Sequence, residues 1–173
     1  MIKAKAQISL LFALFLSVLS LSAATITWMG GDGNWEDPSM WDSGTIPTTT
    51  DEVILANGSI ELHNATSVRA LLVQSSATFI LGASAQLTVL PTAATGVPVQ
   101  VIGKVNVLGR LRVLNQLGFT DYKYVILSGG TWQTEAGGEV LLDGGGLRLE
   151  SSNSSFNNRG YLWMEKTSNS FFR

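Results

Sequence analysis

Five times along this chain a small residue precedes an alternating apolar pair, in the order small-x-apolar-x-apolar. The starts fall near Asp51, Ala77, Gly103, Gly130 and Gly160, at intervals of 26, 26, 27 and 30 residues. Self-similarity at such a period marks a stacked architecture, because one short repeat cannot bury its own apolar side and relies on the next to cover it. Alternation with a period of two puts successive side chains on opposite sides of a strand, so the repeating unit is β and not helical. The segments Gly103-Lys104-Val105-Asn106-Val107 and Gly109-Arg110-Leu111-Arg112-Val113 show the pattern best. Val105, Val107, Leu111 and Val113 are expected to face in, and Lys104, Asn106, Arg110 and Arg112 to face out.

After Thr25 no stretch carries the i, i+3, i+4, i+7 apolar spacing of a helix, whereas short apolar runs such as Val53-Ile54-Leu55, Thr78-Phe79-Ile80-Leu81 and Val140-Leu141-Leu142 continue to the end. Gly, Asn, Ser and Asp, the residues that tolerate tight turns, separate them. The expected fold is all-β: a parallel solenoid with two or three short strands per turn, apolar inside and polar outside. An antiparallel β-sandwich is the alternative, since it also uses many short strands. Its two-residue hairpin turns would fall at Asn57-Gly58 and Asp143-Gly144.

Residues 1–24 read as a secretory signal peptide. Lys3 and Lys5 precede the apolar run from Ile8 to Leu21, and Ser22-Ala23-Ala24 offers a cleavage site. The run is shorter than the roughly 20 residues of a spanning helix, and no second such run follows, so no membrane insertion is expected after cleavage. Loss of the two lysines leaves 9 basic against 13 acidic residues, a net charge of −4. With its Lys and Arg scattered, the remaining chain is expected to bind no nucleic acid. There are no cysteines, so burial and backbone pairing must supply the stability that disulfides often give a secreted chain. Asn57, Asn64 and Asn153 open N-x-Ser/Thr tripeptides that would accept glycans in a eukaryotic host.

Residues 25–50 form the expected cap, and residues 51–173 the coils. Trp28, Trp35 and Trp41 are spaced by glycine-rich and Asp-Pro turn signals, which suits a lid over the first turn of a solenoid. The segment Trp35-Glu36-Asp37-Pro38-Ser39-Met40-Trp41, followed by Gly44, Pro47, Asp51-Glu52-Val53-Ile54 and Ile60-Glu61-Leu62, resembles the start of the G-eight domain, an extracellular module. The same Trp-and-glycine opening, here Trp28-Met29-Gly30-Gly31-Asp32-Gly33-Asn34-Trp35, is similar to segments that begin many bacterial cell-surface β-helix and adhesin-like proteins. That resemblance covers Trp28 to Val89 and implies a secreted, right-handed parallel β-helix, usually part of a larger surface protein. No matching lid follows Met164, and the closing Ser170-Phe171-Phe172-Arg173 reads as another strand. A truncated chain, or one that associates end to end with another molecule, is the expectation.

Several residue sets invite chemistry. Trp35 and Trp41, and Trp132 with Trp163 some 31 residues on, are candidates for stacking on sugar rings, in competition with plain burial. Asp143 with Glu150, or Glu135 with Glu139, would serve acid and base roles if they met in a cleft, with Arg148 alongside. Asp32, Asp37 and Asp51 are calcium candidates, although an EF-hand loop from Asp32 fails at Asp37 and Ser43. His63, the single histidine, has no cysteine with which to build a closed zinc site. With one histidine and no Gly-x-Ser-x-Gly elbow, a hydrolase triad has no support. The expectation is a secreted or cell-surface structural or adhesive solenoid without catalysis, meeting an extracellular glycan or protein surface. The alternative is a polysaccharide-active β-helix enzyme, lyase or hydrolase, or the non-catalytic N-terminal part of one.

Overall fold

The computed structural model of the chain describes residues 23–92, 96–114 and 123–165. The expected signal peptide therefore lies outside the described residues, apart from Ala23 and Ala24, as does the closing segment 166–173. The described chain opens with β1 (Thr25–Trp28) and β2 (Gly33–Asn34), then a 3-10 turn at Pro38–Met40. Next come β3 (Glu52–Leu62), β4 (Ala65–Val68), β5 (Ala70–Leu81) and β6 (Gln86–Val89). After these follow β7 (Val99–Val101), β8 (Lys104–Val107) and β9 (Arg110–Leu114). Two further sets complete it: β10 (Lys123–Leu127), β11 (Thr131–Thr134) and β12 (Glu139–Asp143), then β13 (Gly145–Leu149), β14 (Ser155–Asn158) and β15 (Tyr161–Glu165).

Every strand pair is parallel, and the pairing runs from each turn of the chain to the next, which makes the fold a parallel β-solenoid of about five turns. Among the described residues the one antiparallel contact is an isolated bridge between Trp28 and Trp41. A sandwich is thereby excluded: Asn57-Gly58 lies inside β3 at a register shift, and Gly144 links β12 to β13, which pair with different neighbours. The solenoid has three faces. The first stacks β1, the start of β3, the start of β5, β7, β10 and β13. The second stacks β2, the end of β3, the end of β5, β8, β11 and β14. β3 and β5 run through the corner between these two faces. The third face is a separate sheet, in the order β4, β6, β9, β12, β15.

Register explains the core. On the second face Ile60, Phe79, Val105, Trp132 and Phe156 stand one above another. Leu87, Leu111, Val140 and Leu162 do the same on the third, and Leu71, Val99, Val125 and Leu147 on the first. Val105, Val107, Leu111 and Val113 are all buried, while Lys104 and Arg110 are exposed, as their alternation predicts. The steps on the second face are 19, 26, 27 and 24 residues, which corrects the repeat at both ends. Ala77, Gly103 and Gly130 are equivalent corner positions. Asp51, however, precedes a strand of the first face and Gly160 one of the third. The corners set the turn length: Arg69 alone separates β4 from β5, whereas residues 90–98 separate β6 from β7.

The opening segment caps this stack. Trp28, Trp35 and Trp41 are fully buried in the core. Their rings meet edge to face, Trp28 to Trp41 at 5.0 Å and Trp35 to Trp41 at 4.8 Å, and Trp35 reaches Phe79 of the next turn at 5.7 Å. Trp28 and Trp41 spend their indole N–H groups on the Gly31 and Trp35 carbonyls, whereas Trp35 Nε1 has no partner among the described residues. Polar side chains strap the cap to β3: Asp32 accepts from the Ser59 N–H at 2.7 Å, and Asn57 from the Gly31 N–H at 3.2 Å. At Gly58 the backbone takes φ +87°, and an added Cβ would collide with the Gly31 carbonyl, so the residue must be glycine for the cap to come this close.

Candidate functional site

The outer surface of the third face holds the most suggestive group of side chains. In β15, Leu162 points toward the core, so the neighbouring Tyr161 and Trp163 point outward. They are 59% and 58% exposed, a large aromatic area left to solvent beside one another on one strand. Register then fixes what lies along the wall. Tyr161 stands against Glu139, Arg110 and Gln86, and Trp163 against Leu141, Arg112 and Thr88. Trp163, Leu141, Arg112, Arg110 and Glu139 line a shallow groove of about 450 Å³. A second depression, of about 260 Å³, shares Arg110 and Glu139 and runs on to Gln86 and the corner at Ser84. Together they make a path across successive strands, along the solenoid axis.

Arg110 donates from Nε to the Glu139 carboxylate at 2.5 Å. That bond raises the guanidinium pKa and holds the Glu139 carboxyl below the usual carboxylate range. Both groups are therefore fixed as charges across the neutral range, a donor and an acceptor at a set position on the wall. Arg112 differs from the other described arginines. Arg69, Arg110, Arg148 and Arg159 lie beside Glu52, Glu139, Glu150 and Glu135 respectively, whereas Arg112 has no carboxylate of the described residues within ion-pair distance.

The sequence-predicted sites fare unevenly. Trp35 and Trp41 are buried in the cap, and Trp132 is 1% exposed, wedged between Val105 and Phe156 with its N–H donated to Thr134 Oγ1 at 3.1 Å. None of the three can lay a ring against a sugar, and the pairing of Trp132 with Trp163 as a ladder fails because one faces in and the other out. Trp163 alone among the four is accessible. The candidate carboxylates do not pair. Glu135 accepts from the Gln133 side chain and lies 4.0 Å from Arg159, and Glu139 holds Arg110. Glu150 lies 3.4 Å from Arg148 and accepts from Ser128 at 3.1 Å, at the end of the first face, while Asp143 ends a strand of the third.

Asp32, Asp37 and Asp51 are separately committed to backbone and hydroxyl donors. Asp37 caps the 3-10 turn through Ser39, which lowers its pKa, and Asp51 accepts from Thr48 N–H and Oγ1 at 2.7 Å each, closing the turn before β3. Among the described residues no group of three or more His, Asp or Glu side chains is placed to hold a metal. His63 lies between Glu36 and Glu61, at 3.6 and 3.3 Å, in the corner that leads to β4. Asn57, Asn64 and Asn153 are all exposed. No described helix is long and apolar enough to cross a membrane. Tyr161, Arg112, Arg110 and Leu141 were not among the sequence candidates for binding. Their parity after the corner residues Gly109, Gly138 and Gly160 was the available signal.

A three-faced parallel β-solenoid with an aromatic and arginine-bearing wall is the class that fold and site define. Comparison of the chain with protein-family models, curated proteins and solved structures finds no match.

Proposed function

We propose that this chain is a secreted or cell-surface structural and adhesive β-solenoid that binds glycan on the outer wall of its third face. The observation that carries the reading is the placement of Tyr161 and Trp163, both more than half exposed and neighbours on one face, beside the charged pair of Arg110 and Glu139. Flat aromatic faces suit the C–H faces of sugar rings, and fixed donors and acceptors beside them suit sugar hydroxyls. The basic, apolar and small-residue opening of residues 1–24 supports export, and the G-eight-like Trp28–Val89 segment supports a surface location. Binding is favoured over chemistry because the candidate acids Glu135, Glu139, Asp143 and Glu150 are engaged by separate partners or lie on different faces.

A glycan array probed with the purified chain tests the reading. Binding to at least one glycan class, lost in Trp163→Ala with the fold unchanged, is the expected result. An array without signal, or binding that survives Trp163→Ala, overturns it.

A further inference from the structure

Resting on that reading, we infer that the glycan is acidic: its rings stack on Trp163 and Tyr161, and a carboxylate on a sugar further along the chain meets Arg112. Three features of the wall carry this.

The first is the isolated charge. Four described arginines have carboxylates beside them, so this surface routinely supplies an acidic neighbour to a guanidinium. Among the described residues Arg112 has none, although it is half-buried between Thr88 and Leu141 on a strand flanked on both sides. A guanidinium offers a fork of N–H donors that matches a carboxylate in a two-bond geometry, and partial burial strengthens that pairing. The second feature is spacing. Trp163 and Arg112 occupy the same register row two strands apart, about 10 Å at the usual strand separation. Leu141 lies between them as an apolar floor. A ligand must therefore present a flat apolar surface at one point and an anion some way along an extended path, as a chain of sugars with periodic carboxylates does.

The third feature argues against an acidic peptide. β9 and β12, the strands that carry Arg112 and Leu141, are hydrogen-bonded to neighbours on both edges, so the part of the wall where the anion is held has no free backbone groups for a peptide strand to pair with. The net charge of −4 that remains without residues 1–24 repels a polyanion at long range, which makes Arg112 a short-range specificity element and not part of a general basic field.

The test uses a uronic-acid oligosaccharide and its methyl ester, which differ only in charge along one backbone, titrated by calorimetry against the purified chain and two variants. The unmodified chain is expected to bind the acid form about tenfold more tightly than the ester. In Arg112→Gln that preference falls to near unity while affinity for the ester is retained. In Trp163→Ala both forms lose binding. Both side chains point outward, so far-UV circular dichroism and the unfolding midpoint should match those of the unmodified chain. If the acid preference is absent, or persists in Arg112→Gln, the acidic specificity is overturned while glycan binding stands. If neither form binds but the array shows another glycan, the inference falls alone. If a glutamate-rich peptide binds in an Arg112-dependent way and no sugar does, both readings fall.

Discussion

Trp132 and Trp163 lie on different faces of the solenoid, the second and the third, and point in opposite directions, the first 1% exposed in the core and the second 58% exposed outside it. The same residue type therefore does two jobs. Trp132→Ala would leave a cavity between Val105 and Phe156 where the surrounding β ladder cannot collapse, and should cost about 3 to 5 kcal/mol. Trp163→Ala removes surface only and should change stability by less than about 0.5 kcal/mol. Urea unfolding of the two variants measures the contrast, and similar losses would show that Trp163 is also part of the packing.

The close approach of the cap to the first full turn rests on Gly58. Alanine there would combine a left-handed backbone with a collision against the Gly31 carbonyl, and the cap would have to lift. Gly137 is the matched control, with φ +90° but open space around the missing Cβ. Gly58→Ala should cost about 3 kcal/mol and Gly137→Ala about 1 kcal/mol, the difference being the steric part. Denaturation midpoints followed by tryptophan fluorescence would report it, because Trp28, Trp35 and Trp41 lie in the part that lifts.

Glu36 is the acid-sensitive fastening of the same cap. Burial pushes its carboxyl pKa up, but the N–H groups of His63 and Asn64, donating at 2.9 and 2.8 Å, outweigh burial and bring the pKa below its ordinary 4.5. A carboxyl depressed on folding contributes its stability above about pH 4.5 and loses it as pH falls through the lower folded value. Asp37, held down by Ser39, acts in the same direction. Glu36→Gln should therefore be less stable than the unmodified chain at pH 7 and converge with it toward pH 3. Thermal midpoints across that range decide it; a gap that stays constant would mean the carboxylate charge is not what holds the corner.

What the sequence made legible follows from which physical rules are local. Alternation at Lys104–Val107 and Arg110–Val113 needs only neighbouring residues, and it located both strands and their inward sides. Stacking also followed, since apolar columns need covering. The face to which each strand belongs did not, because all three faces use the same alternation and only corner length separates them. One residue turns the corner at Arg69 and nine turn it after Val89, so counting from Asp51 or to Gly160 crossed from one face to another. The failed Trp132–Trp163 ladder has a simpler cause. Counted from Gly130, Trp132 takes the second, inward place, whereas counted from Gly160, Tyr161 and Trp163 take the first and third, outward places. The Arg110–Glu139 pair joins residues 29 apart, and nothing local announces it.

Thr134 follows the apolar residues Leu62, Leu81 and Val107 in one column of the second face, and Asn158 of β14 continues it. It is fully buried and accepts the Trp132 indole N–H at 3.1 Å. Thr134→Val keeps the shape but strands that donor, and should cost about 1 to 3 kcal/mol despite adding apolar surface. Trp132→Phe removes the donor and part of the ring volume. If the hydrogen bond is the reason for a threonine here, the double variant Trp132→Phe/Thr134→Val should be more stable than the sum of the single losses implies, by about 1 kcal/mol. Strict additivity in urea unfolding would show instead that Thr134 is held by packing alone.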